Sequence, residues 1–208
     1  MPRAQRISIV DYGMGNLRSV QKALQHVAPD AEVEVTSDAA RIRGADRVVF
    51  PGQGAMPDCM RALAEHGLGE AVAQSARDKP FLGLCIGQQM LFERSAEGDT
   101  PGLALLPGYV RALEPVAGLK IPHMGWNEVW QVSPHALWKG IADGSRFYFV
   151  HSYYCDPAEP GLAAGTTRYP EGFTSAIARD NIFATQFHPE KSSVAGLALL
   201  SNFSRWDP

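Results

Sequence analysis

Pro80-Phe-Leu-Gly-Leu-Cys-Ile-Gly-Gln-Gln-Met-Leu-Phe-Glu-Arg94 decides how the rest of this 208-residue chain is read. A short apolar run, Phe81 to Leu84, leads into Gly83-Leu84-Cys85-Ile86-Gly87. A helical pattern then continues through Gln89, Leu91 and Phe92. A nucleophilic side chain between two glycines, where a strand turns sharply into a helix, is a nucleophile elbow. The glycines are needed because a Cβ on either side would crowd a strained turn. Such a turn presents the thiol at the end of a sheet, and the helix N-terminus favours its thiolate. Free cysteines are more often packing residues, so the other reading of Cys85 is a small buried side chain ending a core strand. A base elsewhere in the chain has to separate the two.

The bulk numbers describe an ordinary globular protein. The length suits one domain over residues 1–208, with a large buried core. A net charge of −3 and the lack of a basic block argue against nucleic acid as a partner. No apolar run approaches the length of a membrane span, and the N-terminal Met-Pro-Arg-Ala-Gln-Arg does not read as a signal peptide. Cys59, Cys85 and Cys155 are odd in number and lack metal-type spacing, so a reducing cytoplasm is expected, with no metal and no cofactor.

From the N-terminus, Ile7–Val10 reads as a strand ending in Asp11-Tyr-Gly-Met-Gly15, and Leu17, Val20, Leu24 and Val27 share a helix face. The glycines there miss G-x-G-x-x-G spacing, because Arg18 stands where the third would be. Glu32–Thr36 and Arg47–Phe50 read as strands, the second ending in Pro51-Gly-Gln-Gly54. Helices are expected around 57–66 and 69–77. This alternation predicts an α/β fold with a central, mainly parallel sheet flanked by helices, and ligands beyond the carboxyl ends of its strands. Residues 95–108 read as a surface loop. Short strands then follow at 109–113, 128–132, 146–150, 163–168, 175–178 and 182–186, as in antiparallel hairpins. A closing helix is expected over 192–206.

Phe187-His188-Pro189-Glu190 follows the last of these strands and supplies what a cysteine nucleophile lacks. An imidazole takes the thiol proton and returns it to a leaving amine, while a carboxylate fixes the tautomer. Pro189 biases His188 toward extended geometry, which lets His188 and Glu190 point to a similar side. Taken alone, His-Pro-Glu is also an ordinary turn. Together with Cys85 it completes a Cys-His-Glu triad. Oxyanion donors are expected from the N–H of Ile86 and from the turn Gly52-Gln53-Gly54, although that turn also reads as a plain strand end.

Gly83-x-Cys85-x-Gly87-x-Gln89 with His188-Pro-Glu190 resembles the class I (triad) glutamine amidotransferase domain. Asp11-Tyr-Gly-Met-Gly-Asn-Leu17, Pro51-Gly-x-Gly54, Pro122-His-Met-Gly-Trp-Asn127 and Phe149-Val-His-Ser-Tyr153 make it similar, in particular, to the glutaminase subunits of imidazole glycerol phosphate synthase. The resemblance runs from about residue 7 to the C-terminal helix. It implies hydrolysis of L-glutamine to glutamate and ammonia, with Cys85 as nucleophile, His188 as base and acid, and Glu190 orienting it. It also implies that Gln89, Gly52–Gly54, Glu97, His151, Ser152 and Tyr153 hold the substrate. The implied partner is a cyclase, a (β/α)8 barrel, in a heterodimer. That partner receives the ammonia and makes imidazole glycerol phosphate and an aminoimidazole carboxamide ribotide for histidine biosynthesis.

Trp126 and Trp130 lie in a stretch that reads as an exposed loop, where an aromatic anchor is a plausible hot spot or, alternatively, a core residue. By the resemblance, Trp126, Asn127 and Tyr148 face the partner. His123 has no second metal ligand at useful spacing. One departure concerns the oxyanion turn, where Gln53 replaces the valine common in such subunits. Rival readings are a glutaminase of another synthase, an inactive scaffold, or a cysteine peptidase or stress protein of similar fold.

Overall fold

A computed structural model describes residues 3–208. The N-terminal half alternates strand and helix. The elements are β1 (Arg6–Val10), α1 (Leu17–Val27), β2 (Glu32–Thr36), α2 (Ala39–Gly44), β3 (Arg47–Gly52), α3 (Met56–Glu65), α4 (Gly69–Asp78), β4 (Phe81–Cys85) and the one-turn helix α5 (Ile86–Gln89). The remainder is mostly strand: β5 (Phe92–Ser95), β6 (Thr100–Pro101), β7 (Leu106–Ala112), β8 (His123–Gln131), β9 (Ser145–His151), β10 (Tyr153–Pro157), β11 (Ala163–Arg168), β12 (Gly172–Arg179) and β13 (Ile182–Thr185). Helix α6 (Ser193–Arg205) closes the chain.

The expected α/β class holds. Strands β2-β1-β3-β4-β13 lie side by side and parallel, and the sheet continues antiparallel through β12, β10 and β7. Alternation along each parallel strand fills two cores, one on either face. Phe50 and Phe81 point to the side of α3 and α4, while Ile7, Ile9 and Leu82 point to the side of α1 and α6. The last β-strand returns beside β4, with Thr185 level with Leu84. The segment after β13 therefore emerges next to the segment after β4, although about a hundred residues separate them in sequence.

Four details correct the sequence reading. The helix expected through Phe92 stops at Gln89. The carbonyls of Met90, Leu91, Phe92 and Glu93 are taken by backbone N–H groups of residues 102–106, so no further helical turn can form and β5 runs on instead. For the same reason, much of the expected loop over 95–108 is clasped to β5. Residues 123–127 are strand rather than loop, paired in register with β9 from His123↔His151 to Val129↔Ser145. Two elements were also missed. Helix α2 is capped by Asp38, whose carboxylate accepts from the N–H groups of Ala40 and Arg41, and β10 pairs with β7.

Candidate active site

The elbow forms as its glycines require. Cys85 has φ 55° and ψ −112°, a positive φ rare outside glycine. A Cβ on Gly87 would stand 1.9 Å from the Phe50 carbonyl oxygen, because α5 starts directly over β3. Ladder register then places Gly52 of β3 opposite Cys85, so the two ends of the candidate oxyanion site are neighbours by strand pairing. Tyr12, which was not singled out in the sequence, holds the turn from below. Its buried hydroxyl donates to Pro51 O at 2.9 Å, and burial pushes its phenol far above the ordinary range. The Cys59 thiol lies 3.5 Å from Gln53 O, and burial raises that thiol to about 11. Gly54 follows with φ +109°, a conformation that side chains resist.

His188 arrives at the same place from β13. Its Nδ1 lies 2.9 Å from Glu190 Oε1, and both side chains are almost fully buried. The backbone holds the ring's position: His188 N–H donates to Tyr148 O, and Ser192 Oγ–H donates to His188 O at 2.6 Å. Burial favours the neutral ring, but the neighbouring Cys85 sulfur and the Glu190 carboxylate outweigh it and raise His188 to about 10. Nε2 makes no hydrogen bond among the described residues, which leaves it free toward Cys85.

A cavity of about 230 Å³ gathers Gln53, Gly54, Cys85, Ile86 and Gln89. Glu97, His151, Ser152, Tyr153 and His188 line it as well. Gly52 and Glu190 stand behind this lining. Pro122, Val150 and Lys191 also border the cavity; the first two stand in the motifs quoted above without a role of their own, and nothing in the sequence marked Lys191. Gln89 Nε2 donates to Tyr153 O and to Gln186 Oε1, while its Oε1 has no partner among the described residues. Gln186 in turn places Nε2 3.7 Å from Cys85 Sγ. Glu97 accepts from Met56 N at 2.7 Å and so caps α3 from the cavity wall.

The three residues expected at a partner surface lie outside this cavity. Trp126 and Tyr148 are paired across β8 and β9, with their rings edge to face at 6.2 Å. Trp126 is exposed. Asn127 lies next in the strand, so its side chain points to the opposite face. There it meets His123 and Arg168 O. No group of three or more potential metal ligands occurs among the described residues, and no helix among them is long and apolar enough to cross a membrane.

This arrangement can carry out acyl transfer at a small polar molecule: a thiol, a carboxylate-paired imidazole and the Gln53-Gly54 turn meet at one cavity. A family profile described as glutamine amidotransferase class-I matches residues 8–205. The chain is 59% identical to the imidazole glycerol phosphate synthase subunit HisH of Aromatoleum aromaticum over 209 residues, 97% of this chain and 99% of that one. It is 60% identical to the subunit of the same description from Nitrosomonas europaea, again over 97% and 99% of the two chains. Among solved structures, a protein from Thermoplasma acidophilum described as part of a GMP synthase aligns with a TM-score of 0.74 at 19% identity, covering 98% of this chain and 94% of that one. PurLQS from Thermotoga maritima aligns at 0.73 and 16% identity, covering 98% and 99%. These last two likenesses concern the fold.

Proposed function

The chain belongs to the class-I glutamine amidotransferase family, and from that premise we propose that it is the glutamine-hydrolysing subunit of an imidazole glycerol phosphate synthase, acting as one domain over residues 1–208. One observation carries the chemistry: a cysteine at a positive-φ elbow shares a cavity with a buried imidazole paired to a carboxylate. His188 donates from Nδ1 to Glu190 and holds on Nε2 the proton that the Cys85 sulfur gives up, which the raised imidazole favours. The sulfur attacks the side-chain amide carbon of L-glutamine. As the C–N bond breaks, His188 returns the proton to the leaving nitrogen and ammonia departs. The same ring then activates a water that hydrolyses the thioester to glutamate. The N–H of Ile86 and the peptides of Gly52-Gln53-Gly54 stabilise the oxyanion, and no cofactor takes part. Gln89, through its unpaired oxygen, together with Glu97 and residues 151–153, holds the amino-acid end of the substrate.

Ammonia passes to a cyclase, a (β/α)8 barrel, in a cytoplasmic heterodimer. The exposed Met124, Trp126 and Trp130 offer an apolar strip for such a partner, with Tyr148 beside Trp126 and Asn127 on the other face of the same strand.

The test is glutamate release by the chain alone and with the cyclase plus its nucleotide ligand. A large rise on adding both is expected. High activity that ignores the cyclase would remove the partner from the reading. No activity under either condition, with a working cyclase, would overturn it altogether. Cys85→Ala is expected to abolish glutamine-dependent turnover while the cyclase continues with added ammonia.

A further inference from the structure

His123 has no part in the hydrolytic steps, yet it sits in an unbroken line of hydrogen bonds between the cavity and the outer strands. Asn127 Nδ2 lies 3.0 Å from Arg168 O and 3.2 Å from His123 Nε2. His123 Nδ1 lies 2.8 Å from His151 Nε2, and His151 Nδ1 lies 2.8 Å from Tyr153 O. The carbonyl at the inner end sets the direction of the whole line, because a carbonyl only accepts. His151 must therefore carry its proton on Nδ1 and present a lone pair at Nε2. His123 must then hold its own proton on Nδ1, and its Nε2 must accept from the Asn127 amide. The backbone at the outer end agrees independently: Asn127 Oδ1 accepts from Glu128 N at 2.8 Å. Burial holds both rings neutral, His123 at about 4 and His151 at about 3, so neither carries a second proton.

A line in which each link is dictated by the next has two polarities and no intermediate. If the Asn127 amide turns over, its oxygen faces His123. His123 then needs its proton on Nε2, and His151 needs its proton on Nε2 as well. Each ring still holds one proton, but the His151 Nδ1 lone pair now faces the Tyr153 carbonyl, and attraction becomes repulsion. The rings themselves stay put, because His123 is stacked between Tyr169 at 3.9 Å and Phe149 at 4.9 Å. Tyr153 O is also the acceptor for Gln89 Nε2. The outer end is reachable, since Asn127 is half-buried and borders an open cavity of about 840 Å³ between β8, β10, β11 and β12.

We propose that His123 is a positioning residue for glutamine hydrolysis: through His151 it fixes the Tyr153 carbonyl at the substrate cavity, and it makes that hold depend on which way the Asn127 amide faces. The role rests on the glutaminase reading above, whereas the tautomers it requires do not.

Nitrogen-15 NMR of the histidine-labelled chain therefore comes first. At neutral pH both rings are expected to carry their single proton on Nδ1, and an Nε2 proton on either ring overturns the proposal. Kinetics of the complex with the cyclase follow. His123→Phe keeps the stack and removes both hydrogen bonds. It is expected to raise the KM for glutamine about tenfold, the scale of one buried hydrogen bond, with kcat and the melting temperature little changed. His123→Asn places an amide nitrogen near the Nδ1 position and should recover much of that loss, and it serves as the test variant if His123→Phe does not fold. A KM in both variants within about twofold of the parent would overturn the role, as would an Asn variant no better than Phe. If the parent hydrolyses no glutamine, the glutaminase reading and the role fall together, and the tautomers survive only as a feature of the fold.

Discussion

At the scale of single residues, His188 governs how the cavity responds to pH. Burial alone would hold it neutral, but Cys85 and Glu190 raise it from 6.5 to about 10. Between those values the folded chain binds a proton that the unfolded chain has released. The contribution of His188 to stability is therefore complete below about pH 6.5 and is lost as the pH rises toward 10. Urea unfolding followed from pH 6 to pH 10 should show this decline, and Cys85→Ala should move it to lower pH by removing one of the two opposing neighbours. An unchanged profile in that variant would mean that Glu190 alone sets the ring. The meeting of Cys85 with His188 and Glu190 was legible because glycines bracket Cys85, and Pro189 and Glu190 accompany His188. Tyr12 and Gln186 were not legible. Each touches the site across strands distant in sequence, and nothing in their immediate neighbours records that register.

Elements show where long-range pairing defeats local pattern. Leu91 and Phe92 continue a helical spacing, yet their carbonyls bond to the segment at residues 102–106 and the chain extends. The sequence between Pro122 and Asn127 has loop-like residues, yet a partner strand makes it β. Helix α2 did carry a readable signal in Asp38, whose cap is worth about 1 kcal/mol. The contact of α5 with β3 carries the sharpest expectation at this scale. Gly87→Ala drives a methyl against the Phe50 carbonyl, a backbone atom that cannot rotate away, and should cost about 3 kcal/mol or more. At Gly161 an added Cβ meets nothing within 4 Å, so Gly161→Ala should change stability by no more than ~0.5 kcal/mol. Urea midpoints of the two variants decide whether close approach, rather than glycine as such, is what the elbow needs.

For the whole molecule, the question is which surface does work. Most of the parallel strands and their helices were readable as apolar runs alternating with helical patterns, because β1, β3, β4 and β13 are buried along most of their length. The antiparallel half was readable only in outline, since its strand order, β12-β10-β7 with β11, β8 and β9 to one side, follows no chain order. Its outer face leaves Met124, Trp126, Trp130 and Val132 in solvent. Trp126 is 50% exposed, so Trp126→Ala removes little from the core. Its melting temperature should stay within a few degrees of the parent, while affinity for the cyclase should fall by about tenfold or more, as for an aromatic hot spot. Titration calorimetry and a thermal scan separate those outcomes, and a large thermal loss with unchanged affinity would return the residue to the core.

The positive φ of Cys85 puts chemistry and folding in opposition at one codon. The conformation is one that glycine adopts freely and every side chain resists, at roughly 1–3 kcal/mol. Cys85→Gly should accordingly melt higher than Cys85→Ala, reversing the usual order of those two residues. For a lineage that no longer needed to cleave an amide, drift at this codon toward glycine would be rewarded by a sturdier fold. On the function proposed above, that strain is the cost of presenting a sulfur at this turn.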